Sequence, residues 1–130
     1  FDNTVMFALN KGPIKIKYNL EHPYPPVKSF SIAVQSLEMD RYQHLRFSAR
    51  GLEEGSPGII RVELINERNE VSSVFVDGVK LKWKGHSIPL DDFEEISVWT
   101  TIKSISFVLE GWNTDKKMGI VLIDDVRFSS

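Results

Sequence analysis

Apolar and polar residues alternate with a period of two in eight short runs, at 14–20, 29–35, 44–50, 59–65, 71–76, 86–90, 102–109 and 118–128. Successive side chains of an extended chain point to opposite faces, so this period predicts half-buried strands. Ile14, Ile16, Tyr18 and Leu20 alternate with Lys15, Lys17 and Asn19; Leu45, Phe47 and Ala49 alternate with His44, Arg46, Ser48 and Arg50; Ile60, Val62 and Leu64 oppose Arg61 and Glu63. Turn-forming residues separate the runs: His22-Pro23-Tyr24-Pro25-Pro26, Gly55-Ser56-Pro57-Gly58, Asp77-Gly78 and Asn113-Thr114-Asp115. No 11-residue window carries a helical stripe, and the nearest approach, between Leu90 and Trp99, predicts one short turn around Asp91–Glu95. Pro89 lacks the N–H a central strand needs, so its strand is predicted to lie at an edge or to end there. Eight strands with long connections predict an all-β fold: a two-sheet antiparallel sandwich of the jelly-roll kind. No repeat, low-complexity tract or linker interrupts the pattern, and residues 1–130 read as a single β-sandwich domain.

The polar halves of the strands raise the first functional question. Ser31, Gln35, His44, Arg46, Ser48, Arg50, Arg61 and Glu63 are predicted to point away from the core. They form either a solvated outer face or a platform of hydrogen-bonding groups suited to sugar hydroxyls. Among the aromatic residues, Trp112 lies in the polar loop Glu110–Lys117 and is the best candidate for stacking on a ligand, or else a lid over one end of the sandwich. Tyr24, in the proline-rich turn, is a second candidate. Trp83, five residues before Ile88, is expected on the opposite face or on a turn where its ring covers a sheet end, in a packing role ahead of ligand contact, and Trp99 is expected to join the core.

Composition narrows the classes. The chain is 42% hydrophobic and 26% charged, as a globular domain is, and 130 residues suffice for a real core. The first residue is Phe1, so a mature or excised piece of a longer protein is expected. Sixteen basic and eighteen acidic residues are well mixed and sum to −2. Without a basic stripe, nucleic acid is not an expected partner. No apolar run approaches the roughly 20 residues of a membrane-spanning helix, so membrane insertion is not expected. The absence of cysteine excludes disulfides, thiolate zinc sites and a cysteine nucleophile.

Catalysis finds little support. His22, His44 and His86 are far apart and in no metal-binding spacing, and no nucleophile elbow or phosphate-binding loop occurs. His86 is in phase with Ile88 and Leu90 and is expected at the core edge, satisfied by the backbone. The carboxylate pairs Glu53-Glu54, Asp91-Asp92, Glu94-Glu95 and Asp124-Asp125 are adjacent in sequence. A glycosidase needs two carboxyls on one face across a sugar, and adjacent strand residues face opposite ways. Asp124 shares its parity with Met118, Ile120, Leu122, Val126 and Phe128, which predicts an inward position. A buried carboxylate needs a partner: backbone N–H groups, a buried lysine or arginine, or Ca²⁺, which takes hard oxygen ligands.

Four segments in order carry a resemblance. Trp83-Lys84-Gly85-His86-Ser87-Ile88-Pro89-Leu90-Asp91-Asp92-Phe93 resembles the W-x-x-x-x-I-P-L-x-x-F segment of carbohydrate-binding modules with the galactose-binding-like jelly roll. Ile102–Val108 and Gly119–Phe128 are similar to that family's I-x-x-I-x-F-x strand and its closing G-x-x-x-I-D-D-I-x-F strand. Tyr42–Gly51 resembles its Y-x-x-L-x-F-x-x-K-G strand, with Arg50 in place of lysine. The resemblance runs from about Ile14 to Phe128 and implies a non-catalytic module that binds an oligosaccharide or polysaccharide. It also implies attachment to other domains of a larger secreted, periplasmic or cell-surface protein. On that reading His44, Arg46 and Arg61 reach a ligand from the strands and Trp112 closes one end. The resemblance further implies a structural calcium, with Asp124 as a ligand and Asp2 as a second; the N-terminal segment lacks the family's Glu-Asp-Gly signature. The fold also serves unrelated roles, among them an intracellular assembly factor, and a protein-interaction or assembly domain is the alternative.

Overall fold

The computed structural model describes residues 6–21, 26–52 and 56–130, with only the backbone of Met6, Phe7, Gln35 and Ser36. All eight predicted strands form: β2 (Ile14–Asn19), β3 (Val27–Glu38), β4 (His44–Gly51), β5 (Gly58–Asn66), β6 (Val71–Val79), β7 (Lys84–Pro89), β8 (Thr101–Glu110) and β9 (Met118–Ser129). A short β1 (Met6–Ala8) precedes them, and one 3₁₀ turn, Leu90–Asp92, follows Pro89.

Two antiparallel sheets result. One has five strands in the order β1-β9-β4-β7, with β2 also paired to β9; the other has four, β3-β8-β5-β6. The chain passes between sheets from β2 to β3, β3 to β4, β4 to β5, β6 to β7, β7 to β8 and β8 to β9, which makes the fold an all-β jelly-roll sandwich. As Pro89 predicts, β7 is an edge strand and ends there.

The alternating residues meet between the sheets. Leu45, Phe47 and Ala49 from β4 are buried, as are Ile60, Val62 and Leu64 from β5 and Ile105, Phe107 and Leu109 from β8. Phe47 and Phe107 join the two layers edge to face, with centroids 5.2 Å apart. Trp99 packs half-buried against this core.

Alternation breaks within β9. Val121 and Ile123 are buried, Asp124 and Asp125 are not, and Val126 and Phe128 are buried again. Arg46 of β4 pairs with Arg127 and Ser48 with Asp124, so Phe47 alone faces two residues of β9. This β-bulge inserts one residue and shifts the phase; Asp125 takes the left-handed conformation, φ 53°. The expected inward set Met118, Ile120 and Leu122 therefore faces outward, and Met118 is 53% exposed. Asp124 is not a core carboxylate.

Candidate functional site

Strand register places the polar outer residues of the four-stranded sheet in ladders. Ser29 of β3, Val108 of β8, Arg61 of β5 and Phe75 of β6 stand side by side in one row. Ser31, Ser106, Glu63 and Ser73 form the next, and Ala33, Ser104, Ile65 and Val71 the third. Small residues on β3 and β8 keep one side low, while Phe75, 60% exposed, rises from edge strand β6.

Arg61 stands at the centre. Its Nε donates to Glu110 Oε1 at 3.1 Å, and one terminal nitrogen donates to Glu63 Oε2 at 2.6 Å and Ser73 Oγ at 3.0 Å. Burial disfavours its charge, but the bonds to Glu63 and Glu110 outweigh that and raise its pKa. Ser31 and Ser106 share a hydrogen bond at 2.7 Å in the neighbouring row. Glu110 also accepts from Asn113 Nδ2 at 3.2 Å, which ties the β8–β9 loop to the platform. Trp112 lies in that loop and is 63% exposed. Chemically, the face offers fixed donors and acceptors beside an exposed aromatic ring.

The four residues expected to act together do not share one face. Arg61 belongs to the outer face of the four-stranded sheet, whereas His44 and Arg46 project from the outer face of the five-stranded sheet. Alternation assigns a residue to "outside" but not to one of two outsides. Arg46 stands directly across from Arg127 on one side and Ser87 on the other, and its Nε has no partner among the described residues. His44 Nδ1 lies 3.4 Å from the Ser130 carbonyl. Glu110, Ser106, Ser73 and Phe75 were not anticipated. Phe75 carries a readable sign: it is apolar at the opposite parity to Val74 and Val76.

Of its two expected positions, Trp83 takes the turn. It sits with 44% exposure in the β6–β7 connection, where the chain crosses from one sheet to the other. His86 faces inward from edge strand β7 and stacks on Phe47 at 5.2 Å, but its Nε2 has no hydrogen-bond partner among the described residues, so their backbone does not satisfy that nitrogen. Burial, then the Lys84 charge, lowers its pKa, and Asp77 opposes them.

Asp124 finds hydrogen-bond partners. Its Oδ1 accepts from Asn10 Nδ2 at 3.0 Å and from the Asp125 backbone N–H at 2.8 Å. Among the described residues no group of three or more His, Asp or Glu side chains gathers as a metal donor set. Asp2, the expected second ligand, lies outside the described residues, as do Tyr24 and the pair Glu53-Glu54.

No protein-family model and no curated protein matches the chain. Solved structures share its fold. A family 11 carbohydrate-binding module from Clostridium thermocellum, in complex with a β-1,3-1,4-mixed-linked tetrasaccharide, superposes with a TM-score of 0.60 at 13% identity, over 97% of this chain and 88% of that one. CBM28, a carbohydrate-binding module specific for non-crystalline cellulose, gives 0.58 at 13% identity, over 89% and 73%. An agarase, AgWH50C, gives 0.69 at 15% identity; it matches all of this chain but only 23% of its own.

Proposed function

We propose that this chain is a non-catalytic glycan-binding module, attached to a larger protein, whose ligand lies across the outer face of the β3-β8-β5-β6 sheet. The observation that carries the reading is the Arg61 cluster beside exposed Phe75. Arg61, Glu63 and Ser73 are already bonded to one another on rigid strands, so a sugar's hydroxyls meet groups that need little reordering. The ring of Phe75, with Trp112 at the end of β8, offers apolar faces to the C–H surfaces of a sugar. The fold shared with two carbohydrate-binding modules supports this reading without naming the sugar. Two carboxylates bracketing one arginine leave no spare cation there, which favours a neutral glycan.

Affinity electrophoresis in mixed-linked β-glucan, soluble cellulose derivatives and agarose tests it. The parent chain should be retarded by at least one polymer, and Phe75→Ala should weaken that binding about fivefold, the scale of one aromatic contact. His44→Ala, on the opposite sheet, should bind as the parent does. Retardation by no polymer, or full binding by both Phe75→Ala and Arg61→Ala, would sink the assignment. A protein-interaction role is the second reading, favoured by Val71 and Phe75 together on the β6 edge, 47% and 60% exposed.

A further inference from the structure

The β6–β7 connection and the start of β7 read Lys80-Leu81-Lys82-Trp83-Lys84, a cationic and apolar sequence in a chain of net charge −2. Leu81 and Trp83 are 48% and 44% exposed. With Gly78, Lys84, Ser56 and Asp115 they line a groove of about 670 Å³, within the usual range of small-ligand sites. Gly78 has φ 72°, and the Lys84 side chain folds over it: its Nζ lies 2.7 Å from where a Cβ on Gly78 would stand. The ion pairs among the described residues are those of Arg61, so Lys80, Lys82 and Lys84 have no carboxylate partner there. The Asp115 carboxylate is turned against Gly58.

We propose that this groove is a second binding subsite that takes an anionic saccharide unit, its ring against Trp83 and its carboxylate or sulfate among Lys80, Lys82 and Lys84. The site is separate from the Arg61 platform and does not rest on it. Charge complementarity identifies the occupant: three ammonium groups without a carboxylate partner among the described residues, beside Asp115, attract an anion, and an exposed indole face suits the apolar side of a ring. A lipid surface fits less well. Leu81 and Trp83 are half covered and border a concavity that contains Asp115 and Ser56, and a bilayer would bury those polar groups without partners.

The test uses the whole chain with polygalacturonate and a sulfated galactan as carboxylate and sulfate probes. Agarose serves as neutral control, and phosphatidylserine vesicles represent the lipid alternative. Retardation by at least one acidic polymer is expected at low salt and should fall steeply as salt rises. Trp83→Ala should weaken it about fivefold, the Lys80→Gln/Lys82→Gln pair should weaken it at least as much, and Phe75→Ala should leave it unchanged. Thermal melting confirms that each variant is folded. The proposal is overturned if neither acidic polymer is retained, if only vesicles are bound, or if Trp83→Ala binds as well as the parent.

Discussion

Asn10 clamps the β9 bulge, and removing its side chain should destabilise the protein measurably. Its Oδ1 accepts the Val126 backbone N–H at 2.8 Å, and its Nδ2 donates to Asp124 Oδ1 at 3.0 Å and to the Gly12 carbonyl at 2.6 Å. The Gly12 bond is exposed and counts for little. The other two are partly buried, and Val126 itself is fully buried. Each such bond contributes about 0.5–1.5 kcal/mol net, and a stranded buried N–H costs about 1–3 kcal/mol. Asn10→Ala should therefore destabilise by about 2–3 kcal/mol. For a chain of this length that lowers the melting temperature by about 7–11 °C.

Differential scanning calorimetry with and without chelator measures this and separates hydrogen bonding from calcium. Asp124→Asn keeps an oxygen acceptor at the bulge but loses the charge a cation needs. If hydrogen bonding stabilises the bulge, Asp124→Asn melts near the parent and chelator changes neither. If calcium does, the parent loses several degrees on chelation and Asp124→Asn no longer responds. A shift under about 2 °C for Asn10→Ala would refute the clamp. So would a chelator-sensitive parent melting, by returning Asp124 to the role of metal ligand.

Glu70 should govern the acid limb of stability. Bonds from the Ser97 hydroxyl and backbone N–H, from Asn66 and from the Val98 N–H hold its carboxylate down at about 2. Because the folded value lies below the ordinary 4.5, its contribution is complete above pH 4.5 and is lost as pH falls toward 2. Urea titrations across that window should show the parent losing stability more steeply than Glu70→Gln, and parallel curves would disprove the link. Phe107→Ala removes the ring that packs on Phe47 between the sheets and should cost about 3–5 kcal/mol in the same titration. A loss under about 1 kcal/mol would mean that the sheets close over the gap.

Strand positions were legible because each run repeats one physical instruction, burial on every second residue. The eight runs became strands within a few residues, and Pro89 and the Asp91 turn fell where backbone chemistry puts them. Parity misled at Asp124, because a bulge adds one residue without any change in composition; the adjacent acidic pair Asp124-Asp125 carries no distinctive mark. For Trp83 the offset from Ile88 gives a face only while the chain stays extended, and the chain crosses between sheets just before β7, so the turn position holds.

The candidate site was less legible, since strands remote in sequence build it. Arg61 and Arg46 look alike in their runs, each a cation between apolar neighbours. Their surroundings differ completely once the sheets are ordered. Arg46 faces Arg127 across the ladder, a pairing of like charges that strands resist. Arg61 is flanked by β8 and β6, which supply Glu110 and Ser73, and its own strand supplies Glu63. The first arrangement leaves cations that gain from solvent, whereas the second fixes a planar fork of donors and acceptors in one geometry. Only the second is organised before a ligand arrives, and Phe75 stands beside it in the same row. That difference, set by strand order and not by residue type, is why the glycan is assigned to the four-stranded face. A neutral sugar on Arg61 and an anionic one at the lysine groove would then differ in salt dependence, the first nearly insensitive and the second steep. One polymer series run at two ionic strengths separates the two surfaces without a single mutation.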